Sequence, residues 1–328
     1  MEERFIMGKN RVPAEAVRNA LIHFIKKRNI SIPIILKSVD ISRSRLYDYL
    51  KGNGRVSATT FVNLLSTIGV SYDEVLLHIY LEQPELVDST VKELGLDPSS
   101  YTQTPNEDMV YRVLALFEET QDTRLLLYVV RAINAQVIDS GQRYRLVEIA
   151  RPAIVKLLDH RDSYSSTDML LFANIIRHEP YETVKVMVKK MSDQVQKIAT
   201  LEGYGLVEMD NFLPAAVWNV GLLNFQMLLL ALENGDEETV EGTLTFIKEC
   251  KLPDFGSYFT FVKKLSEVVR LTLDNQQEQA EELWHSTVNA LKFMVDDRLW
   301  PSFTYLSQQS YREFIKPVID YRSVIDAR

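Results

Sequence analysis

The amino-acid sequence predicts an all-α protein: five short helices at the N-terminal end, then an array of longer ones. Three observations carry that expectation. Apolar residues recur at three- and four-residue spacing through nearly the whole chain, the mark of one buried helical face. Glycine and proline are scarce, 12 and 11 among 328 residues, which disfavours a turn-rich β-fold. The polar breaks between apolar stretches are brief, as antiparallel helical neighbours require.

The elements follow in order. From Ala14 to Arg28, the residues Val17, Leu21, Phe24 and Ile25 share one helix face. Pro13 suits a first turn, where its missing N–H costs nothing, and Asn29 suits a left-handed stop. A second helix starts near Ser31, accepts Pro33 early, and turns Ile32, Ile35 and Leu36 inward; Asp40 and Ser42 supply the turn after it. Ser42 is the natural N-cap of a third helix, Arg43 to Lys51, whose inward side is Leu46, Tyr49 and Leu50. After the loop "GNGR", Val56 and Ser57 introduce a fourth helix with Phe61, Leu64, Leu65 and Ile68 inside and Gly69 as its stop. Ser71 and Glu74 form a capping box for a fifth. A second and third helix joined by a tight turn make a helix-turn-helix arrangement.

Between Gln83 and Asp108 the pattern loosens, with "LDPSSYTQTP" in its middle, and a short helix fits at 85–94. The expected domains are therefore 1–76, a linker over 77–106, and 107–328. In the last of these, stretches such as "TRLLLYVVRAINAQVI" and "YFTFVKKLSEVVRLTLDN" read as helices separated by polar turns. Two segments, from Leu232 and from Leu273, each pass from an apolar helix through a polar turn into another helix, at a spacing of 41 residues. That period suits an α-solenoid of tetratricopeptide-like repeats, whose concave side commonly holds a peptide or partner segment.

Composition sets the class. Apolar content of 46% and charged content of 25% are ordinary for a globular protein. The single cysteine, Cys250, forms no internal disulfide, and "MEERFIMGKN" lacks the apolar core of a signal peptide, so a cytoplasmic location is expected. The longest apolar stretch, "GLLNFQMLLLAL", is interrupted by Asn224 and Gln226 and falls short of the ~20 residues that cross a bilayer. No membrane association is expected. The five histidines show no ligand spacing, "HEPYE" lacks the second histidine of a zinc protease site, and no phosphate-binding glycine loop occurs. The expectation is a protein that is not an enzyme and carries no metal or cofactor.

Net charge is −8, yet it is unevenly spread. Residues 1–75 hold twelve basic and seven acidic residues, a balance of +5, against 25 basic and 38 acidic in the rest, a balance of −13. A small basic module joined to a large acidic one fits nucleic-acid binding confined to one end. Uneven surface charge with no partner is the alternative.

"ISIPIILKSVDISRSRLYDYLKGNGRVSATTFVNLLSTIGVSYDEVL", residues 30–76, resembles the Xre/Cro-type DNA-binding domain in its spacing throughout. It departs from that pattern at Leu36, where a small residue is usual, at Asp40, where glycine is usual, and at Ile32 and Pro33, where glutamine is frequent. Leu36 is expected to widen the crossing of the second and third helices, and Asp40 to take a left-handed backbone. Farther on, "STDMLLFANIIRHEPYETVKVMVKKM" and "FGSYFTFVKKLSEVVRLTLDNQQEQAEELWHSTVNALKFM" are similar to repeats of Rgg/GadR/MutR-type regulators. This resemblance implies a homodimeric transcription regulator of the peptide-responsive cytoplasmic receptors of Gram-positive bacteria. Its partners would be double-stranded DNA and a short imported signalling peptide held on the concave face of the repeats.

If the resemblance holds, the first turn of the third helix faces the major groove, presenting Arg43, Ser44 and Arg45 after Ser42, then Tyr47 and Asp48. Arginine suits guanine O6 and N7, whereas Lys51, Arg55, Lys37, Lys26 and Lys27 suit phosphates. Solvated arginines on a surface helix are the plain alternative. For a peptide, Asn174, Asn219, Asn224 and Gln226 stand inside apolar helix patterns where an amide needs a reason to be, either backbone recognition of a ligand or a helix-to-helix hydrogen bond. Arg143, Arg145 and Arg177 offer positive charge, and Phe172, Trp218 and Tyr258 offer either a pocket lining or core. The segment Leu299 to Ile325, with Trp300, Phe303, Tyr305, Leu306, Tyr311 and Phe314, is either a dimer surface or a cap on the last repeat. An interaction scaffold and a small-molecule-responsive repressor are the competing functional readings.

Overall fold

The computed structural model describes residues 12–83, 106–135, 140–201, 212–250, 257–294 and 309–326. Among them there are helices and turns and no strand. The chain divides into two compact units, Met1–Gly95 and Leu96–Arg328.

The first unit holds α1 (Ala14–Lys27), α2 (Ile32–Ser38), α3 (Arg43–Lys51), α4 (Ala58–Ile68) and α5 (Tyr72–Glu82). Local chemistry sets most boundaries. The Ser42 and Ser57 hydroxyls accept from the N–H groups of Arg45 and Thr60, and Ser71 with Glu74 closes a reciprocal capping box. Asn29, Gly52 and Gly69 end α1, α3 and α4 at positive φ, each followed by an N–H that reaches back five residues to a carbonyl of the finished helix. The fifth helix continues to Glu82, six residues past the expected boundary at 76. The segment 85–94 lies outside the described residues.

Helix α1 packs on α3, α4 and α5, and α2 packs on α4. Leu21, Ile35, Leu46, Leu64 and Val75 meet in the core at 1% exposure or less. Each such side chain contributes ~1.5–3 kcal/mol of burial. The inward face of α1 differs from the expected one: Ala16, Ala20 and Leu21 are buried, while Val17, Phe24 and Ile25 pack at the rim. The two alanines let three helices approach α1 closely, which longer residues would prevent. The turn after α2 also differs. Asp40 is not at positive φ; instead the Ile41 N–H donates to the Val39 carbonyl at 2.8 Å, a three-residue turn centred on Asp40. Leu36 is only partly buried at the core edge, so the pairing of α2 and α3 does not have to admit it.

The second unit holds α6 (Glu107–Thr120), α7 (Thr123–Ala135), α8 (Ser140–Asp159), α9 (Ser166–Ile175) with a 3-10 turn at Ile176–His178, α10 (Tyr181–Leu201), α11 (Phe212–Asn234), α12 (Glu237–Glu249), α13 (Ser257–Leu273), α14 (Gln277–Met294) and α15 (Tyr311–Asp326). From α6 to α9 and again from α10 to α15, each helix packs on the next. In addition α7, α9, α11, α13 and α15 pack in succession on one another. Contact with the next element and the next but one is the solenoid pattern.

The repeat shows in its turns. Gly235 and Asn275 are left-handed at φ +65 and +61, and the N–H groups of Asp236 and Gln276 reach back to Ala231 and Leu271 at 3.0 and 2.8 Å. Equivalent atoms thus recur every 40 residues, Gly235 to Asn275, and not every 41. The one-residue error arises from aligning apolar residues, which slide around a helix face, whereas the turn geometry fixes register.

Helix α11 packs against α9, α10, α12, α13 and α15. Its stretch Ala216–Asn234 is, among the described residues, the one helix long and apolar enough to cross a membrane, and 61% of the window is buried inside the protein. It is the core helix of the array. Helix α15 covers the far end: Phe314 stacks on Trp284 at 4.2 Å between ring centroids and lies parallel to Phe225 at 6.2 Å. Tyr311 and Phe314 are therefore internal, at 6% and 5% exposure, and belong to a cap rather than a dimer surface. Trp300, Phe303, Tyr305 and Leu306 lie outside the described residues.

Candidate functional site

In the first unit every candidate DNA-contact residue is exposed: Ser42, Arg43, Ser44, Arg45, Tyr47, Asp48, Lys51, Arg55, Lys37, Lys26 and Lys27. Their arrangement follows from α3. Leu46 and Tyr49 anchor the helix inward, which turns Arg43, Ser44 and Arg45 outward on its first turn. The Arg43 guanidinium lies 6.0 Å from the centre of the Tyr47 ring, a cation–π contact that restrains both side chains. At the other end, Asn53 N–H returns to the Asp48 carbonyl at 2.8 Å, and Gly54 packs its backbone on Asp48, folding the "GNG" loop over the helix. Among the described residues, none of the seven lysines and arginines in this set is in an ion pair. Their charge is open to solvent.

The repeat-unit candidates separate. Asn219 donates to the Ser166 carbonyl at 2.7 Å, tying α11 to α9, and Asn224 donates to Ser192 Oγ at 2.8 Å, tying α11 to α10. Both are 5% exposed, so they take the helix-to-helix role of the two the sequence allowed. Phe172, at 2% exposure, is core and offers no surface to a ligand. Asn174 donates to the Leu170 carbonyl of its own helix at 2.7 Å and is half-buried. Arg145 is exposed and Arg143 half-buried on α8. The side chain of Tyr258 lies outside the described residues.

The structure brings the others together on α11. Among its described side chains, Trp218, Leu222, Phe225, Gln226, Leu229 and Leu230 are partly exposed, and Glu233 continues the same stripe. Arg177, from the turn after α9, pairs with Glu233 at 3.1 Å and closes the stripe at one end. Leu222, Phe225, Leu229, Leu230 and Glu233 were not among the candidates. In a helix apolar on every side, which residues stay uncovered depends on the partners.

A polar cluster beside Arg177 was also missed. His178 Nδ1 lies 2.6 Å from Glu148 Oε1, the Tyr144 ring leans on the His178 ring at 4.5 Å, and Arg151 bonds Glu179 at 3.2 Å. It links α8 to the turn between α9 and α10. Among the described residues no group of histidine, cysteine and acidic side chains could hold a metal ion.

No protein-family model matches the sequence, and no curated protein does. Solved structures do match. The complex of PrgX with cCF10 covers 93% of this chain and 93% of its own at 12% identity and a TM-score of 0.57. Rgg2, the SHP pheromone receptor of Streptococcus dysgalactiae, covers 90% of this chain and 99% of its own at 14% identity and a TM-score of 0.58. A bacterial peptide pheromone and receptor complex covers 92% and 98% at 13% identity and a TM-score of 0.55. Identities this low speak for the fold. Over nearly its whole length, the chain has the helical architecture of PrgX and of the pheromone receptor Rgg2, the Rgg-type arrangement that the sequence resemblance implies.

Proposed function

We propose that the protein is a transcription regulator that reads double-stranded DNA with α3 and senses a short peptide with its repeat unit. The observation that carries the reading is the outward face of α3, where Arg43, Ser44 and Arg45 are exposed on a capped first turn. Around them stand Lys26, Lys27, Lys37, Lys51 and Arg55, exposed and in no ion pair among the described residues.

Each part has a distinct role. Arg43 and Arg45 donate to guanine O6 and N7, where one bidentate pair is worth ~1–3 kcal/mol of discrimination. The surrounding lysines and Arg55 meet phosphates, which sets register and gives a steep salt dependence without reading sequence. One head covers a half-site, so two copies of the chain pair on a palindrome with centres ~34 Å apart. For the peptide, the half-exposed stripe from Trp218 to Leu229 supplies apolar contact area, and Gln226 supplies an amide within it. That a similarly folded receptor forms a complex with a peptide pheromone supports this use of the array.

The test is fluorescence anisotropy of the full chain with DNA from upstream of its own gene against a scrambled duplex, over a salt series. Selective binding that weakens steeply with salt is expected. Replacing Arg43 and Arg45 by alanine should lower the selective affinity at least ~10-fold, the equivalent of ~1.4 kcal/mol, with the helical circular dichroism unchanged. Undiminished selectivity in that variant would sink the assignment of α3, and no selectivity in the wild type for any genomic fragment would favour an interaction scaffold.

A further inference from the structure

The charge balance of the first unit counts Arg18 on α1 and Arg28 just after it with the other cations, but both guanidinium groups are engaged by other parts of the unit. Arg28 Nη1 donates to the carbonyls of Ile68, at 3.2 Å, and Gly69, and Nη2 lies 3.6 Å from Glu74. It holds the C-terminal end of α4. Arg18 takes the corresponding place at the end of α3. Three atoms of its guanidinium stand 3.1, 3.1 and 3.2 Å from the point a Cβ on Gly52 would occupy, so the plane lies flat over that glycine. The Arg18 side chain is 19% exposed, and its ion partner Glu15, at 3.7 Å, is on its own helix. Gly52 is the left-handed residue that ends α3, at φ +85. Two things make the seat: a glycine that leaves room for the guanidinium, and a helix C-terminus whose open carbonyls attract a cation. The charge is also felt by Tyr49, where burial raises the phenol and Arg18 works against it.

We propose that Arg18 is a positioning residue for DNA reading: seated on the C-terminal end of α3, it fixes the direction in which the opposite end presents Arg43 and Arg45. The inference rests on the DNA-reading role of α3. The lever is short but sufficient. Nine helical residues span roughly 13 Å, so a tilt of about 10° at Gly52 moves the Arg43 end by about 2 Å. Two parallel hydrogen bonds to one base do not survive such a shift. Its guanidinium faces Gly52, and the side chain is only 19% exposed.

The experiment uses the full chain, a duplex that the wild type selects from a random-sequence pool, and a scrambled duplex of equal length, over a salt series. Arg18→Met keeps the apolar stem and removes the charged plane. Its selected-to-scrambled affinity ratio should fall about 10-fold, with scrambled binding and the salt slope unchanged. Gly52→Ala displaces the guanidinium while leaving the charge in the chain, and should lower the same ratio. Arg18→Lys restores charge without the plane and should recover part of it. Thermal unfolding of each variant sets an assay temperature at which it is folded. A salt slope smaller by about one with both duplexes weakened alike would make Arg18 a phosphate contact instead. A wild-type ratio in either Arg18→Met or Gly52→Ala would reduce the seat to a stability feature. Failure of the wild type to select any duplex would remove the DNA-reading role, and this inference with it.

Discussion

At the residue scale, Asp236 shows how one side chain joins two repeats. It N-caps α12 through the Thr239 N–H at 3.0 Å, accepts from the Thr239 hydroxyl, and receives Lys185 Nζ at 2.8 Å and the Tyr181 hydroxyl at 2.9 Å from α10. Partial burial alone would raise its carboxyl, but the bonds from Lys185, Thr239 and Tyr181 outweigh it and hold the group well below the usual carboxylate range. Because the folded value is depressed, the stabilisation is fully present above the unfolded value of ~3.9 and is lost as pH falls through and below it. Asparagine keeps the cap and removes the charge. Asp236→Asn should therefore cost about 1 kcal/mol at pH 7, a figure discounted for partial exposure, and the gap from wild type should close as the pH is lowered toward 2. Urea unfolding at pH 7 and at pH 3 measures both; an equal gap at the two would refute the ion-pair account. In the sequence, Asp236 is legible as a helix start. Lys185 and Tyr181, more than fifty positions away, are not.

At the scale of elements, two helical glycines make opposite predictions. Gly242 on α12 has nothing within 4 Å of where a Cβ would stand, whereas a Cβ on Gly221 of α11 would come 2.8 Å from Phe259 Cδ2. Gly242→Ala should raise stability by ~0.5–1 kcal/mol, because alanine loses less backbone entropy and meets no obstacle. Gly221→Ala should lower it by ~1–3 kcal/mol, since α13 must shift or the Phe259 ring must leave its rotamer. Thermal unfolding of the pair checks the signs, and a stabilised Gly221→Ala would mean that α11 and α13 pack less closely than described. Helices are the level at which sequence and structure agree best. Ser42, Ser57 and Ser71 act as caps, and Asn29 and Gly69 as stops, because each needs only its neighbours in the chain. Packing is harder to read. On α1 the periodic pattern favours Val17, Phe24 and Ile25 over the alanines that the contact with three other helices selects.

At the scale of the molecule, a helical array is stable only when its ends are covered, and α15 is the cover at one end. It packs on α11, α13 and α14, leaving Trp284 1% exposed beneath Phe314. Arg322 extends the clasp, bonding the Thr272 carbonyl at 3.3 Å and the Asn275 side chain in the turn between α13 and α14. The sequence offers this segment equally as a dimer surface, because an aromatic helix face has the same pattern whether its partner is its own chain or another. For Phe314, its stacking between Trp284 and Phe225 decides for its own chain. Phe314→Ala removes that ring from a closed layer and should cost ~3–5 kcal/mol, the sum of lost burial and the cavity left behind. Coupling in such arrays runs mainly between neighbours, so the loss should fall on α11, α13 and α14. The variant's Trp emission should shift to the red at lower urea than in the wild type. The first unit has its own core, so its unfolding should be left unchanged. An unchanged urea midpoint would return Phe314 to the surface, and with it the reading of this segment as a dimer contact.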